Sequence, residues 1–402
     1  MRIKLVDLAA QNAEIRESVE RELDALHRDT AYIGGAQVEA FEREFADFLG
    51  VRHVIGVGSG TDALRLALLA AGIGCGDEVI TTPMTFIATA AAIRQAGARA
   101  VLVDVEPDTC NLSPRALRRY LEERRDAGAH LPRAVMPVHL YGLPAAMREI
   151  QEVALEFGLR IIEDACQAHG ALMHDGARWR PAGTLGAAGC FSFYPGKNLG
   201  GWGDGGAIAT DSDELAERAR MLRDHGRISH YAHQHYGYNS RLDAIQAAVL
   251  RAKLERLEHW NRRRRQIAAL YSELLLDCGL NLPAEPAGLS SCYHLYAVRS
   301  AQRDALRQAL LSRNIECGIH YPVPLHLQPA CRDLGYRRGD FPVAEEIADT
   351  ELSLPMHPHL ADSEVECVAD AVLEALEEGS SAFAGELGRS PSMSIFPPER
   401  GE

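Results

Sequence analysis

The chain has 402 residues, 47% of them hydrophobic and 24% charged, a composition typical of a folded protein with one large domain and a smaller one. Its 42 lysines and arginines against 56 aspartates and glutamates give a net charge of −14 at pH 7, and such an acidic surface disfavours nucleic acid as a partner. The nine cysteines form no C-x-x-C pair, and no apolar run approaches the about 18 residues of a membrane span. We therefore expect a soluble, cytoplasmic protein without a membrane partner.

The first fifty residues have the apolar spacing of two amphipathic helices. The residues at helical intervals are Ile15, Val19, Leu23 and Leu26, followed by Val38, Phe41, Phe45 and Phe48. From His53 onward, short β-branched runs alternate with helical stretches, at 54–58, 77–82, 98–105, 133–140, 159–165, 189–193 and 205–210. This alternation predicts an α/β fold with a mainly parallel sheet between helices, whose ligands bind beyond the carboxyl ends of the strands.

Residues 241–275 contain neither proline nor glycine and predict one long helix that leads into a smaller C-terminal domain. In that domain the pattern predicts a strand at 293–298, a helix at 301–313 and a segment rich in proline and histidine at 318–329. The predicted organisation is a large domain with its N-terminal segment over 1–255, a small α+β domain over 256–378 and a mobile tail over 379–402.

A turn of small residues follows the first predicted strand, in GSGTDALRLALLAAG (58–72). A helix that begins near Asp62 would leave the backbone N–H groups of Gly60, Thr61 and Asp62 unpaired at its N-terminus, where the helix dipole also favours an anion. The turn could therefore seat a phosphate. An equally good explanation is that Ser59 or Thr61 only caps the helix.

Two further strand ends carry residues suited to chemistry. Asp164 ends the strand in IIEDACQAHGA (161–171), with Gln167 three residues later, although an Asp there is often only a cap. Lys197 follows the strand in SFYPGKNLGGWGDGGAI (192–208), just before a glycine-rich stretch. A lysine in a loop is usually solvated, but an apolar strand behind it would lower the pKa of this amine and make it nucleophilic toward a carbonyl.

An anion-binding turn, a carboxylate at a strand end and a buried lysine are together what pyridoxal 5′-phosphate (PLP) requires for its phosphate, its ring nitrogen and its aldehyde. The motifs of P-loop, dinucleotide and H-E-x-x-H zinc sites are absent from the sequence. The loosely spaced histidines at 225, 230, 233 and 235 do not predict a metal site. We expect His139 and His169 to be structural and Cys166 to be a small buried residue.

From about Val6 to about Leu376 the chain resembles the nucleotide-sugar aminotransferases of PLP fold type I, the DegT/DnrJ/StrS family. The segments that carry the resemblance include YIGGAQVEAFEREFADFLG, GSGTDALRLALLAAGIGCGDEVI, PVHLYG, IIEDACQAHGA, CFSFYPGKNLGGWGDGGAIATD, GYNSRLDAIQAAVL and HYPVPLHLQP. The resemblance implies an aspartate-aminotransferase-like large domain with a seven-stranded sheet. It also implies a homodimer whose active sites are shared across the interface.

The resemblance also implies roles for individual residues. Lys197 matches the catalytic lysine that forms the Schiff base and then moves the proton. The cofactor-binding residues that it implies are Gly60, Thr61, Phe86, Asp164, Gln167, Ser192, Lys197 and Asn239, the last of them reaching the phosphate from the partner subunit. The substrate-binding residues that it implies are His320, Tyr321 and His326.

Lys197 favours amino transfer, because the family's sugar 3-dehydratases carry histidine at this position. The stretch SFYPGKNLG with GDGG resembles members that aminate C3, whereas Trp202 and TTPMTF depart from their usual pattern. The resemblance thus implies amino transfer from L-glutamate or L-glutamine to a dTDP-linked 3-keto-deoxyhexose, in deoxyamino-sugar and antibiotic biosynthesis. A 4-keto-hexose or a keto-cyclitol acceptor stays open, and a PLP-binding regulator without turnover is a remote alternative.

Overall fold

The structure, a computed structural model, describes residues 2–387, and from residue 379 onward only their backbone. Its helices are α1 (Leu8–Asp29), α2 (Ala36–Leu49), α3 (Gly60–Ala70), α4 (Ile87–Gln95), α5 (Pro114–Asp126), α6 (Met147–Phe157), α7 (Asp213–Arg223), α8 (Ala244–Leu274), α9 (Arg303–Ser312), α10 (Pro342–Thr350) and α11 (Asp362–Leu387). Its strands are β1 (His53–Val57), β2 (Glu78–Thr81), β3 (Arg99–Leu102), β4 (Ala134–Val135), β5 (Arg160–Asp164), β6 (Leu172–His174), β7 (Trp179–Pro181), β8 (Ala188–Ser192), β9 (Gly206–Thr210), β10 (Arg227–Ser229), β11 (Ala232–His233), β12 (Leu289–Ser290), β13 (Tyr296–Arg299) and β14 (Glu351–Leu354).

Seven strands form the central sheet, in the order β1-β9-β8-β5-β4-β2-β3. Only β9 runs antiparallel to its neighbours, and every other pair in the sheet is parallel. Each of the seven predicted runs overlaps one strand of this sheet, so the predicted α/β class and its mainly parallel sheet are confirmed. Helices cover both faces of such a sheet, and its strands are therefore apolar along their whole length instead of alternating between apolar and polar residues.

Helices cover the sheet on its two faces. Val79 of β2 packs into a core formed with α3, α4 and α7, whereas its neighbour Ile80 packs into a core with α5 and α6. On the second face, α2 and α8 pack against Phe191 and Phe193 around β8. The carboxyl ends of β5 and β8 therefore meet at one edge of the sheet, which brings Asp164 and Ser192 into the same region.

Helix α8 confirms the long helix predicted over 241–275, and the predicted domain boundary at 255/256 lies inside it. Beyond α8, the antiparallel pair β13–β14 packs with α9 and α11 in a separate core. The helix predicted at 301–313 is α9. The strand predicted at 293–298 begins later, because Tyr293 is left-handed (φ 42°) and the N–H groups of Cys292 and Leu295 donate to the carbonyls of Gly142 and Tyr141 instead.

The two N-terminal helices lie where the sequence predicts them, as α1 and α2. Helix α11 continues to Leu387, into the segment predicted as a mobile tail, and residues 388–402 of that prediction lie outside the described residues. Within residues 2–387, no helix combines the length and the hydropathy that crossing a bilayer requires.

Candidate active site

The turn between β1 and α3 caps the helix and also leaves two backbone N–H groups without a partner in the described residues. Ser59 Oγ accepts the N–H of Asp62 at 3.1 Å, so that N–H is not free and the prediction that it would be is wrong. The N–H groups of Gly60 and Thr61 have no hydrogen-bond partner within the described residues. A Cβ on Gly60 would lie 2.6 Å from Ser192 Cβ. Glycine at this position therefore lets the end of β8 approach the start of α3.

The Asp164 carboxylate is held at the end of β5 by two donors. The Thr89 hydroxyl donates to its Oδ2 at 2.8 Å, and the N–H of Cys166 donates to its Oδ1 at 3.2 Å. Thr89 in turn contacts the Thr85 hydroxyl at 3.0 Å, and Asp164 is only 5% exposed. The carboxylate is thus fixed in direction and shielded from water, as a group that must meet a ring nitrogen should be.

Gln167 connects Tyr141 to the Pro- and His-rich segment at 318–329. Its Oε1 accepts the N–H of Tyr141 at 2.7 Å, and its Nε2 donates to the Tyr321 hydroxyl at 3.1 Å. The Tyr321 ring lies 5.6 Å from the ring of Phe86, centroid to centroid. Phe86 itself is 53% exposed at the start of α4, so part of its ring is open to contact with a ligand.

Lys197 lies in the loop after β8, anchored by its N–H to Tyr194 O at 2.9 Å. Burial lowers the pKa of the Lys197 amine, as expected from the sequence, while nearby Cys166 and Asp164 partly counteract that effect. In the described part of the chain no side chain forms an ion pair with this amine. The amine is therefore available to react.

Behind Lys197 lies a polar network that sequence reasoning missed. The Asn198 amide nitrogen donates to Asn261 Oδ1 and to Cys292 O, both at 2.9 Å, and its Oδ1 faces His294 Nδ1 at 3.2 Å. Burial, together with the charge of Lys197, lowers the pKa of His294 well below its ordinary value. This network fixes the backbone that follows the reactive lysine.

His139 and His169 are both fully buried, as expected of structural residues. His139 Nδ1 accepts the N–H of Ala145 at 3.0 Å, so its Nε2 carries the proton and donates to Glu163 Oε2 at 2.9 Å. The His169 ring packs against Phe191 and Phe193, and neither of its nitrogens has a partner in the described residues.

His320 is held by two residues of β14 that the sequence did not single out. Its N–H donates to Glu351 Oε2 at 2.6 Å, and its Nδ1 lies 2.9 Å from Ser353 Oγ. The Tyr141 hydroxyl donates to the His320 carbonyl. Burial lowers the pKa of His320 to about 4 and raises that of Glu351 to about 8. At neutral pH the imidazole is thus uncharged, and its orientation is fixed.

Two predicted residues lie apart from this group. His326 is buried against Glu345 (2.8 Å) and the Phe341 ring, and among residues 2–378 no hydrogen bond or ring contact joins it to another predicted site residue. Asn239 is exposed, and its Oδ1 accepts from Arg241 at 2.8 Å. The roles of both stay predictions. No group of His, Cys, Asp or Glu in the described residues is arranged to hold a metal ion.

The described residues fit PLP. Two unpaired N–H groups at the start of α3 suit its phosphate, the oriented carboxylate of Asp164 suits its ring nitrogen, and the unpaired amine of Lys197 suits its aldehyde. The exposed ring of Phe86 offers a face on which the cofactor ring can stack.

Comparisons with known proteins agree with this arrangement. The model of the DegT/DnrJ/EryC1/StrS aminotransferase family matches residues 13–373. A dTDP-3-amino-3,4,6-trideoxy-alpha-D-glucose transaminase of Streptomyces venezuelae is 43% identical, over 95% of this chain and 98% of its own. A protein of Geobacillus stearothermophilus named as a pleiotropic regulatory protein is 42% identical, over 93% of this chain and 98% of its own. The crystal structure of S. venezuelae DesV with a ketimine intermediate has a TM-score of 0.88 and 43% identity, over 94% of this chain and 99% of the other.

Proposed function

The chain belongs to the DegT/DnrJ/EryC1/StrS aminotransferase family, and we propose that it transfers an amino group from L-glutamate or L-glutamine to a dTDP-linked 3-keto-deoxyhexose. It is a PLP-dependent aminotransferase of fold type I. The single observation that carries the proposal is the juxtaposition of an unpaired Lys197 amine of lowered pKa with the oriented carboxylate of Asp164. The likeness to a dTDP-3-amino-sugar transaminase supports the choice of acceptor.

When bound, PLP supplies an electron sink for breaking and making bonds at the amino-bearing carbon. We assign the proton transfers of both halves of the reaction to Lys197 Nζ. The donor would be oxidised at its α-carbon and leave as the 2-oxo acid (2-oxoglutarate where the donor is L-glutamate), while the ketone carbon of the sugar would be reduced to a carbon that bears hydrogen and the amino group. Asp164 would keep the ring nitrogen protonated, and the Thr89 hydroxyl would hold that carboxylate in place.

The remaining site residues would bind and orient the cofactor and the sugar substrate. Gly60, Thr61 and Ser192 would hold the phosphate, because the first two offer unpaired N–H groups and the third lies against them. Gln167 would bind near the ring hydroxyl. His320 would face the sugar as a neutral imidazole, because Ser353 engages its Nδ1 and leaves Nε2 for a sugar hydroxyl. Tyr321 and His326 complete the proposed substrate residues.

We propose a homodimer that shares its active sites. Asn239 would reach the phosphate of the partner subunit, and its exposure leaves it able to do so. The adjoining segment 227–236, which contains the hairpin β10–β11, exposes Ile228, Tyr231 and Tyr236, and exposed apolar residues in one segment favour a protein interface. We place the enzyme in the cytoplasm, and the nine free cysteines support a reducing compartment.

An acceptor panel tests the proposal. Purified enzyme and PLP are incubated with L-glutamate or L-glutamine and with a dTDP-3-keto-6-deoxyhexose, a dTDP-4-keto-6-deoxyhexose or scyllo-inosose, and the amino product is sought by mass spectrometry. The proposal predicts product from the first acceptor in preference to the others. A relative named as a regulatory protein favours a regulatory function as the second candidate. Failure to form any amino product, with either donor, would support that candidate and contradict ours.

A further inference from the structure

A chain of hydrogen bonds joins a buried carboxyl group to the imidazole of His320. Glu351 Oε1 lies 2.5 Å from Ser353 Oγ, and Ser353 Oγ lies 2.9 Å from His320 Nδ1. The second carboxyl oxygen of Glu351, Oε2, accepts the backbone N–H of His320 at 2.6 Å. Glu351 and Ser353 are both fully buried, so these groups must satisfy one another instead of bonding to bulk water.

The other ring nitrogen of His320 is the end of this chain that a ligand can reach. Nε2 has no hydrogen-bond partner among residues 2–378, and it is not fully buried. The charge of Lys197 contributes to the lowered pKa of His320, so the ring lies near the reactive amine. A neutral imidazole carries its proton on one nitrogen only. What Nε2 offers to a ligand therefore depends on whether Nδ1 donates to Ser353 or accepts from it.

When Glu351 is ionised, the hydrogen bonds of the chain have one consistent direction. A carboxylate only accepts, so the Ser353 hydroxyl donates to Oε1. Because its single proton is then used, Ser353 Oγ can only accept from His320 Nδ1. The imidazole proton is therefore on Nδ1, and Nε2 presents a lone pair.

When Glu351 is protonated, these directions reverse. The proton lies on Oε1, where Ser353 Oγ can accept it, because Oε2 has no acceptor within the described residues. The Ser353 hydroxyl must then donate elsewhere, and its other partner among residues 2–378 is His320 Nδ1. Nδ1 accepts, so the imidazole proton is on Nε2, which becomes a hydrogen-bond donor.

We propose that Glu351, acting through the Ser353 hydroxyl, determines which ring nitrogen of His320 carries the proton, and thereby whether Nε2 donates to or accepts from the acceptor sugar. Glu351 and Ser353 are positioning residues, because they act on the sugar only through His320. The inference rests on the proposed function for the identity of the ligand alone. Burial raises the pKa of Glu351 to about 8, so at neutral pH the carboxyl group is mostly protonated and Nε2 is a donor for an oxygen of the sugar.

The other titratable and charged groups around this chain behave differently near pH 8. Arg299, the cross-strand partner of Glu351, and Arg303 of α9 keep their charge throughout. Burial raises the pKa of each thiol and phenol near Glu351, and these groups are therefore neutral: Cys110, Tyr141, Cys317 and Tyr321. Near the imidazole, burial lowers the pKa of Lys197 and of His294. Of these groups Lys197 alone could titrate close to Glu351, so variants are needed to assign a transition.

NMR of the PLP-loaded enzyme labelled with ¹⁵N-histidine tests the proposal without any substrate, because a protonated and an unprotonated ring nitrogen differ strongly in chemical shift. The signals of His320 are assigned by their absence from the His320→Gln spectrum. From about 1.5 pH units below the pKa of Glu351, which is about 8, to about 1.5 units above it, the wild-type proton should move from Nε2 to Nδ1. A proton that stays on one nitrogen over this range would overturn the proposal.

Glu351→Gln should keep His320 in the donor form at every pH. Its amide oxygen is needed at the Oε2 position to accept the backbone N–H of His320, which leaves its amide nitrogen to donate to Ser353 Oγ, as the protonated acid does. The imidazole proton should then stay on Nε2 across the same pH range. A movement of the proton in Glu351→Gln equal to that in the wild type would refute the role of Glu351.

Ser353→Ala removes the hydroxyl that connects the two groups. The position of the imidazole proton should then no longer follow the ionisation of Glu351. The matched control is Ser272→Ala, which removes a serine hydroxyl that contacts Tyr296 at 2.9 Å and should leave the wild-type transition unchanged. An unchanged transition in Ser353→Ala would refute the relay, and the wild-type pH series decides the matter if the variants do not fold.

Acceptor kinetics test whether the sugar uses Nε2. The kcat/KM for the dTDP-linked 3-keto-sugar should fall about 2- to 12-fold in the wild type from about pH 7 to about pH 9.5, the effect of losing one hydrogen bond, and should lack this fall in Glu351→Gln. The half-reaction with L-glutamate should have the same pH dependence in both enzymes. Equal acceptor profiles would contradict the role of Nε2 toward the sugar. Absence of any amino product from the wild type would instead contradict the proposed function, and the NMR result does not depend on it.

Discussion

Replacing Gly60 with alanine tests how the phosphate-binding turn is built. A Cβ at this position would lie 2.6 Å from Ser192 Cβ and 3.1 Å from Cys166 Sγ, and the first distance is far inside van der Waals contact. Either the start of α3 or the end of β8 must move, and overpacking by one methyl group costs about 1–3 kcal/mol. Because the movement displaces the unpaired N–H groups of Gly60 and Thr61, we expect Gly60→Ala to bind PLP about 5- to 150-fold more weakly.

Fluorescence titration of the apoenzyme with PLP measures this Kd. The matched control is Gly196→Ala, next to Lys197, where the nearest atom to a new Cβ is Tyr194 Cε1 at 3.7 Å, an ordinary contact. That variant should bind PLP within about twofold of the wild type. The same Kd for Gly60→Ala and wild type would refute the proposed phosphate-binding role of this turn.

Two further predictions concern the residues around the site. Each carboxylate oxygen of Glu163 accepts two hydrogen bonds. An amide nitrogen in the place of either oxygen would leave two buried donors unpaired, so Glu163→Gln should destabilise the fold by about 2–6 kcal/mol. A Tm equal to that of the wild type would contradict this prediction. Burial and the charge of Lys197 lower the pKa of His169 to about 3, below the ordinary value of 6.5. As the pH falls from about 6.5 toward 3, the unfolded chain takes up a proton at His169 and the folded protein does not, so the stability that the neutral imidazole contributes is progressively lost. His169→Phe should therefore reduce the pH dependence of the unfolding free energy between about pH 6 and 4 by up to about 1.4 kcal/mol per pH unit, measured by urea denaturation. Equal slopes for variant and wild type would refute the account of His169.

The sheet was predictable because strands covered on both faces appear as continuous β-branched runs, and even the two-residue strand β4 lies within such a run. The start of β13 was not predictable in the same way. Its position depends on Cys292 and Leu295, whose N–H groups bind carbonyls of Gly142 and Tyr141 about 150 positions earlier in the chain. The spacing of apolar residues does not depend on such a contact, so it could not predict where β13 begins.

The candidate site likewise contains residues that could be predicted from the sequence and residues that could not. Lys197 and Asp164 could be singled out because each follows a recognisable strand and has a residue type that fits one atom of PLP. Asn198, His294 and Glu351 could not, because their importance comes from partners distant in sequence. His294 meets Asn198 across 96 positions, and Glu351 meets His320 across 31. A single polar residue without its partner gives no signal in the sequence.

The most direct test of the central claim is the absorbance spectrum of the PLP-reconstituted enzyme before and after addition of L-glutamate or L-glutamine. The account predicts a visible band, from the cofactor linked to Lys197, that bleaches with one of these donors. It also predicts that Lys197→Ala lacks the linked band and turnover while keeping the fold. A wild-type spectrum without the band, or with a band that neither donor changes, would contradict the assignment of this chain as a PLP-dependent aminotransferase acting through Lys197.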